Sequence, residues 1–96
     1  MKNQEIKKNH STLKVYAAKW CLHCNKTVEY LETNNIAFEY YEIETQPEEI
    51  IEKIIEVNGG DDWVVPTLEF NGKWRQGKIY DEKELKIDLD KLGLHV

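Results

Sequence analysis

Two cysteines stand three positions apart in Trp20-Cys21-Leu22-His23-Cys24, and the 96-residue chain holds no others. They follow directly on Leu13-Lys14-Val15-Tyr16-Ala17-Ala18, which has the character of a short buried strand. Cys24, Val28 and Leu31 then recur at i, i+4 and i+7, so the pair opens a helix from about Cys21 to Thr33, ended by Asn34-Asn35. On a helix, residues i and i+3 share a face with Cβ atoms about 5–6 Å apart. A disulfide needs about 3.5–4.5 Å between Cβ atoms, so a small adjustment at a helix start lets such a pair open and close. In a chain otherwise free of cysteine, C-x-x-C at a strand-to-helix junction reads as a redox dithiol.

Ile36 to Ile43, rich in aromatic and β-branched residues, is expected to form a second strand. Thr45-Gln46-Pro47-Glu48 has the spacing of a capping box, with Pro47 in the first turn of a second helix. Ile50, Ile51, Ile54, Ile55 and Val57 give that helix an apolar stripe, and Gly59-Gly60 stops it. Asn71-Gly72 lies between Thr67-Leu68-Glu69-Phe70 and Lys73-Trp74-Arg75-Gln76, a strong hairpin signal. A last helix begins near Asp81 and carries Leu85, Leu89 and Leu92 on one face before Gly93. The order β-α-β-α-β-β-α predicts an α/β domain, a four-stranded mixed sheet with helices on both faces. Residues 1–11 are polar and aperiodic, a tail ahead of a single domain over residues 12–96.

Composition narrows the function. Hydrophobic residues at 41% and charged residues at 32% suit a soluble globular chain. A net charge of −5 without a Lys/Arg cluster argues against nucleic acid as a partner, and no apolar run approaches the ~20 residues of a membrane span. Met1 to His10 lacks the apolar core of a signal peptide, so the expected location is cytoplasmic. In that reducing compartment a vicinal cysteine pair is catalytic or metal-binding more often than structural. The expected oligomeric state is a monomer.

Chemistry distinguishes the two sulfurs. Cys21 sits where the helix begins, facing unpaired backbone N–H groups, and that positive end favours the thiolate. Lys19 and His23 are candidates to add to this effect. Cys24 lies a turn deeper on the apolar face, where desolvation keeps it a neutral thiol. These positions assign attack on a substrate disulfide to Cys21 and resolution of the mixed disulfide to Cys24. Trp20 reads as an apolar wall beside the dithiol. Glu39, Glu42, Glu44, Glu48 and Glu49 read as a solvated acidic surface.

Strand, Trp-Cys-x-x-Cys on a helix, strand, helix, then Val64-Val65-Pro66-Thr67 entering a hairpin resembles the glutaredoxins of the thioredoxin fold, from about Leu13 to Leu92. Asn58-Gly59-Gly60 and Trp20 are most similar to the mycoredoxin and glutaredoxin-like branch. The resemblance implies a thioredoxin-like fold and a thiol–disulfide oxidoreductase. It would act on protein disulfides or mixed disulfides with low-molecular-weight thiols, without a cofactor of its own. It also implies that Pro66 is cis and lies against the dithiol, with the Val65 backbone pairing with an incoming peptide. Glutathione users in this family carry Gly-Gly-x-Ser/Thr-Asp before the last helix, a run that holds a glutathione carboxylate. Gly77 and Asp81 match it, whereas Lys78 and Tyr80 depart from it, and Lys78 either attracts a carboxylate or obstructs it. The electron donor therefore stays open between glutathione, another small thiol and a flavin-dependent reductase.

Two other classes share these residues. One is a glutaredoxin-fold module holding a [2Fe–2S] cluster between two chains, which needs thiolate but no turnover. The other is a zinc protein with Cys21 and Cys24 as half a site, for which His10, His23 and His95 are the remaining soft ligands but lack matching spacing. No metal ligand is assigned on this reading.

Overall fold

The computed structural model describes residues 12–94. The tail read over residues 1–11, with His10, and also His95 lie outside the described residues. The elements are β1 (Leu13–Ala17), α1 (Leu22–Thr33), β2 (Phe38–Glu42), a 3-10 turn (Ile43–Thr45), α2 (Glu48–Val57), β3 (Thr67–Phe70), β4 (Lys73–Arg75) and α3 (Glu82–Leu92). The strands form one sheet in the order β2-β1-β3-β4. β1 runs parallel to β2 and antiparallel to β3, and β4 returns antiparallel to β3. This is the mixed four-stranded, thioredoxin-like α/β sheet that the element order and the resemblance imply.

Side chains alternate across a strand, so the register sorts the sheet into two faces. Leu13, Val15 and Ala17 pair with Phe38, Tyr40 and Glu42, and Val15 pairs with Leu68, which pairs with Arg75. α3 covers this face: Asp88 bonds Arg75, and Gly93 lies against the Phe70 ring. α1 lies alongside α3, joined to its approach by a hydrogen bond from the Tyr80 N–H to His23. Leu13, Val15, Leu31, Leu68, Leu85 and Leu89 are essentially inaccessible to solvent between sheet and helices. On the other face Tyr16 stacks between Tyr41 and Trp74, with centroids 5.2 and 5.9 Å apart. α2 covers that side, placing Lys53 Nζ 5.9 Å above the Trp74 ring.

The element ends show how local chemistry sets the boundaries. Asn35 adopts φ 58°, and Ile36 N–H bonds Leu31 O at 2.9 Å, so an asparagine closes α1 as glycine commonly does. Gly59 at φ 106° closes α2 in the same way, with the Gly60 N–H on Ile55 O. Asn71 (φ 52°) and Gly72 (φ 84°) make the two-residue turn of the β3–β4 hairpin. Asp81 caps α3, its carboxylate accepting from the Glu84 N–H at 2.9 Å.

Two expectations change. The second strand is shorter than Ile36 to Ile43, because Ile36 belongs to the end of α1 and Ile43 opens the 3-10 turn. The capping box at Thr45 does not form. The 3-10 turn draws the Thr45 hydroxyl back to Glu42 O at 3.1 Å, and Pro47, which has no side chain to donate or accept, occupies the N-cap of α2. Glu48 and Glu49 place negative charge in the first turn, where the helix dipole favours it.

Candidate active site

β1 ends at Ala17, two further residues make a turn, and Cys21 N–H closes it on Ala18 O at 3.1 Å. Cys21 is the N-cap of α1, a position normally held by a residue whose side-chain oxygen accepts a helix N–H. Here sulfur does so: Cys21 Sγ accepts from the Cys24 N–H at 3.2 Å. Cys24, one turn on, has no exposure, whereas Cys21 keeps 9%. Both are free thiols. Burial, reinforced by donation of its S–H to Cys21, pushes the Cys24 thiol up to about 12, against the smaller opposing pull of the Ala18 N–H on its sulfur.

Val65–Pro66 is a cis peptide bond, and Pro66 is buried. The β1–β3 ladder ends with Tyr16 opposite Thr67, so Val65 and Pro66 emerge at the same sheet end as the turn into Cys21. The Thr67 hydroxyl donates to Val64 O at 2.6 Å and accepts from Asn58 Nδ2 at 3.0 Å. Asn58 also accepts the Gly77 N–H at 2.8 Å. Gly77 packs so closely on Val64 that an added Cβ would lie 2.4 Å from Val64 Cγ1 and 2.9 Å from the Val64 carbonyl carbon. Asn58 thus joins the end of α2, the Pro66 loop and the 77–81 segment, a role not drawn from the sequence. The close approach at Gly77 is what a glycine in that position permits.

The remaining candidates divide. His23 Nδ1 accepts the Tyr80 N–H at 3.0 Å, so its ring proton resides on Nε2 and the ring ties α1 to the 77–81 segment. Lys19 is exposed; its backbone N–H bonds Glu42 Oε1 at 3.3 Å and its carbonyl accepts from Asn25. Trp20 is 64% exposed and its indole N–H donates to Glu44 Oε2 at 3.4 Å. Lys78 Nζ is held by Asp88 at 2.8 Å and Glu84 at 3.0 Å. Asp81 caps α3. Trp20 and Leu22, which flank Cys21 in the chain, are exposed, as are Val64 ahead of the cis-proline and Ile79 ahead of Tyr80.

Of the acidic residues read as a solvated surface, Glu44 is exposed as expected, whereas Glu42 is half-buried and engaged. Glu44 holds Trp20, and Glu42, on the α1 face of β2, accepts from Lys19 N–H and from the Tyr40 hydroxyl. The signal lay in the alternation Phe38, Tyr40, Glu42, which places this carboxylate on the same side as an aromatic pair. Among the described residues, no three His, Cys, Asp or Glu side chains converge as a metal-ligand set. No helix among them is long and apolar enough to cross a membrane.

A mixed four-stranded sheet presenting a dithiol at a helix start, beside a cis-proline loop, defines a thioredoxin-fold protein. A glutaredoxin family model matches residues 13–74, and the chain belongs to the glutaredoxin family, whose members are generally thiol–disulfide oxidoreductases. Its structure is similar to that of the glutaredoxin of Archaeoglobus fulgidus, at 25% sequence identity and a TM-score of 0.62, covering 88% of this chain and 96% of that one. Comparison with curated protein sequences finds no match.

Proposed function

We propose that this chain is a dithiol oxidoreductase of the cytoplasm, reducing protein disulfides or mixed disulfides with small thiols through Cys21 and Cys24. The observation that carries the reading is the Cys21 sulfur at the helix N-cap, accepting the Cys24 N–H while Cys24 remains a buried thiol. Cys21 thiolate attacks one sulfur of the substrate disulfide, and the other sulfur leaves as a thiolate. Cys24 then attacks Cys21 Sγ, expels the second substrate thiolate and closes the Cys21–Cys24 disulfide. Two electrons pass to the substrate. An external thiol or a flavin-dependent reductase returns them, and no cofactor of the chain's own takes part.

The exposed apolar side chains of Trp20 and Leu22 beside Cys21, and of Val64 ahead of the cis-proline, suit a polypeptide substrate, whose backbone would pair along Val65. For the donor, four polar groups of the 77–81 segment are engaged within the protein. Gly77 N–H bonds Asn58, Tyr80 N–H bonds His23, Lys78 bonds Asp88 and Glu84, and Asp81 caps α3. The family match also ends before this segment. These contacts support a reductase as donor over glutathione. Any tuning of Cys21 by His23 must act through Nε2, since Nδ1 is engaged with Tyr80.

The test is turnover of a mixed-disulfide substrate, coupled in parallel to glutathione with glutathione reductase and to thioredoxin reductase. Turnover faster with thioredoxin reductase is expected. Faster turnover with glutathione reverses the donor assignment, and absence of turnover in both couples defeats the oxidoreductase reading.

A further inference from the structure

Asn58 ends α2, and its side-chain amide is engaged on both sides. Nδ2 donates to Ile54 O at 2.8 Å and to Thr67 Oγ1 at 3.0 Å, while Oδ1 accepts the Gly77 N–H at 2.8 Å. The amide cannot be turned round, because Ile54 O only accepts and the Gly77 N–H only donates. Thr67 is wholly buried, and its hydroxyl, which takes the Asn58 hydrogen on oxygen, donates its own proton to Val64 O at 2.6 Å. Direction is thus imposed from amide to hydroxyl to carbonyl. Gly77, held by the oxygen of the same amide, lies so close to Val64 that an added Cβ would meet the Val64 carbonyl carbon. The two contacts on the Val64 peptide both lead back to the Asn58 side chain. A trans peptide unit is planar, with its C=O and N–H pointing in opposite directions. The cis bond is the next one along, so Val64–Val65 is trans, and a Val64 oxygen held by buried Thr67 turns the Val65 N–H away from Thr67. Among the described residues, none accepts that N–H.

We infer that Asn58 and Thr67 are positioning residues for a polypeptide substrate: through the Val64 carbonyl they aim the Val65 N–H at a backbone carbonyl of the incoming chain. The inference rests on the dithiol reading above and on its pairing along Val65. A peptide that pairs with backbone in this way gains its affinity from main-chain hydrogen bonds, so the direction of this donor sets how its disulfide meets Cys21. A small disulfide without a peptide backbone has no such carbonyl and draws nothing from the relay. Asn58 and Thr67 therefore favour polypeptide over small disulfides.

The test uses the whole reduced chain and two probes, each in excess: insulin, whose disulfides lie in a polypeptide, and dithiobisnitrobenzoate, which has no peptide backbone. Acid quenching and intact mass give the rate at which each oxidises the dithiol. Thr67→Val keeps the side chain's shape but removes the hydroxyl that holds Val64 O. The ratio of the insulin rate to the dithiobisnitrobenzoate rate should fall roughly tenfold, the size of one lost hydrogen bond. Thr67→Ser keeps the hydroxyl without the methyl and should hold the wild-type ratio, which a loss of packing would not. If Thr67→Val does not fold, Asn58→Asp takes its place: a carboxylate only accepts, so it draws the Thr67 proton from Val64 O and should lower the same ratio. An unchanged ratio in the folded variant overturns the inference, as does a ratio that falls equally in Thr67→Ser. A wild-type chain that neither probe oxidises defeats the dithiol reading itself, which separates the two failures.

Discussion

Cys24 has no contact with solvent and Cys21 has little, yet their environments differ in kind. Cys21 receives a helix N–H on its sulfur, a bond that strengthens when the sulfur carries charge. Cys24 is desolvated and gives its S–H to Cys21, which holds it protonated up to about 12. Alkylation of the reduced chain near neutral pH should therefore modify Cys21 first, read by peptide mass mapping. In Cys21→Ser, the rate of Cys24 alkylation should still be climbing with pH above about 9, the ordinary thiol value, because the buried thiol ionises later. Early labelling of Cys24 would reverse the assignment of roles. Cys24→Ser should trap a mixed disulfide on Cys21, visible as an intact-mass adduct.

Two contacts between elements tie the 77–81 segment and β4 to their neighbours. Gly77 lies against Val64, and Gly77→Ala would force a methyl to within 2.4 Å of Val64 Cγ1 and 2.9 Å of its backbone. A backbone neighbour cannot yield as a flexible side-chain end does, so the Val64–Pro66 loop has to shift. The expected loss of stability is about 1–3 kcal/mol, as for overpacking elsewhere, with a larger proportional loss of turnover than of folded protein. Urea melts beside the coupled assay check both. Asp88 bridges β4 and α3: it accepts from Arg75 Nε and Lys78 Nζ, both at 2.8 Å. Burial alone raises its pKa, but the bonds from Lys78 and Arg75 outweigh that and hold it below the ordinary carboxylate value. A lowered folded pKa contributes stability above the unfolded value near 3.8, lost as pH falls through the folded value. Asp88→Asn should abolish that acid limb and destabilise the fold by about 3 kcal/mol, because it leaves the Arg75 side chain, 5% exposed, without its counter-charge. Acid titration of the unfolding midpoint measures it.

At the scale of the whole molecule, several protons are held more tightly folded than unfolded. Cys24, Tyr40 and Tyr41 all rise to about 12 from ordinary values of 9.0 and 10.0. For Cys24 and Tyr40 burial leads; for Tyr41 the bond to Glu39 leads. A raised folded pKa gives stability that is complete below the unfolded value and lost as pH climbs through the folded one. The reduced chain should hold its unfolding midpoint up to about pH 9 and lose it steadily toward about pH 12. Cys24→Ser should delay the onset by removing the group that titrates first. A midpoint independent of pH over that range would contradict the burial assigned to these groups.

The sequence by itself determined the elements and the place of the dithiol at a helix start, because those depend on neighbours within a turn or two. Apolar periodicity defined α1 and α3, Asn71-Gly72 the hairpin, and the C-x-x-C spacing the cysteine pair at a helix start. Only the tertiary structure decided what each long-range partner does. Whether Glu42 is solvated or held by Lys19 and Tyr40 on the α1 side of the sheet depends on the parallel register that sets it opposite Ala17. Whether Lys78 is available to a ligand depends on α3 delivering Asp88 and Glu84 to it, and His23 is drawn to Tyr80 across 57 residues of chain. Even the missing capping box follows from this: the 3-10 turn at the end of β2 takes the Thr45 hydroxyl before α2 can use it. Local backbone preference is written in adjacent residues, whereas burial and charge pairing are created by packing segments that the sequence holds far apart.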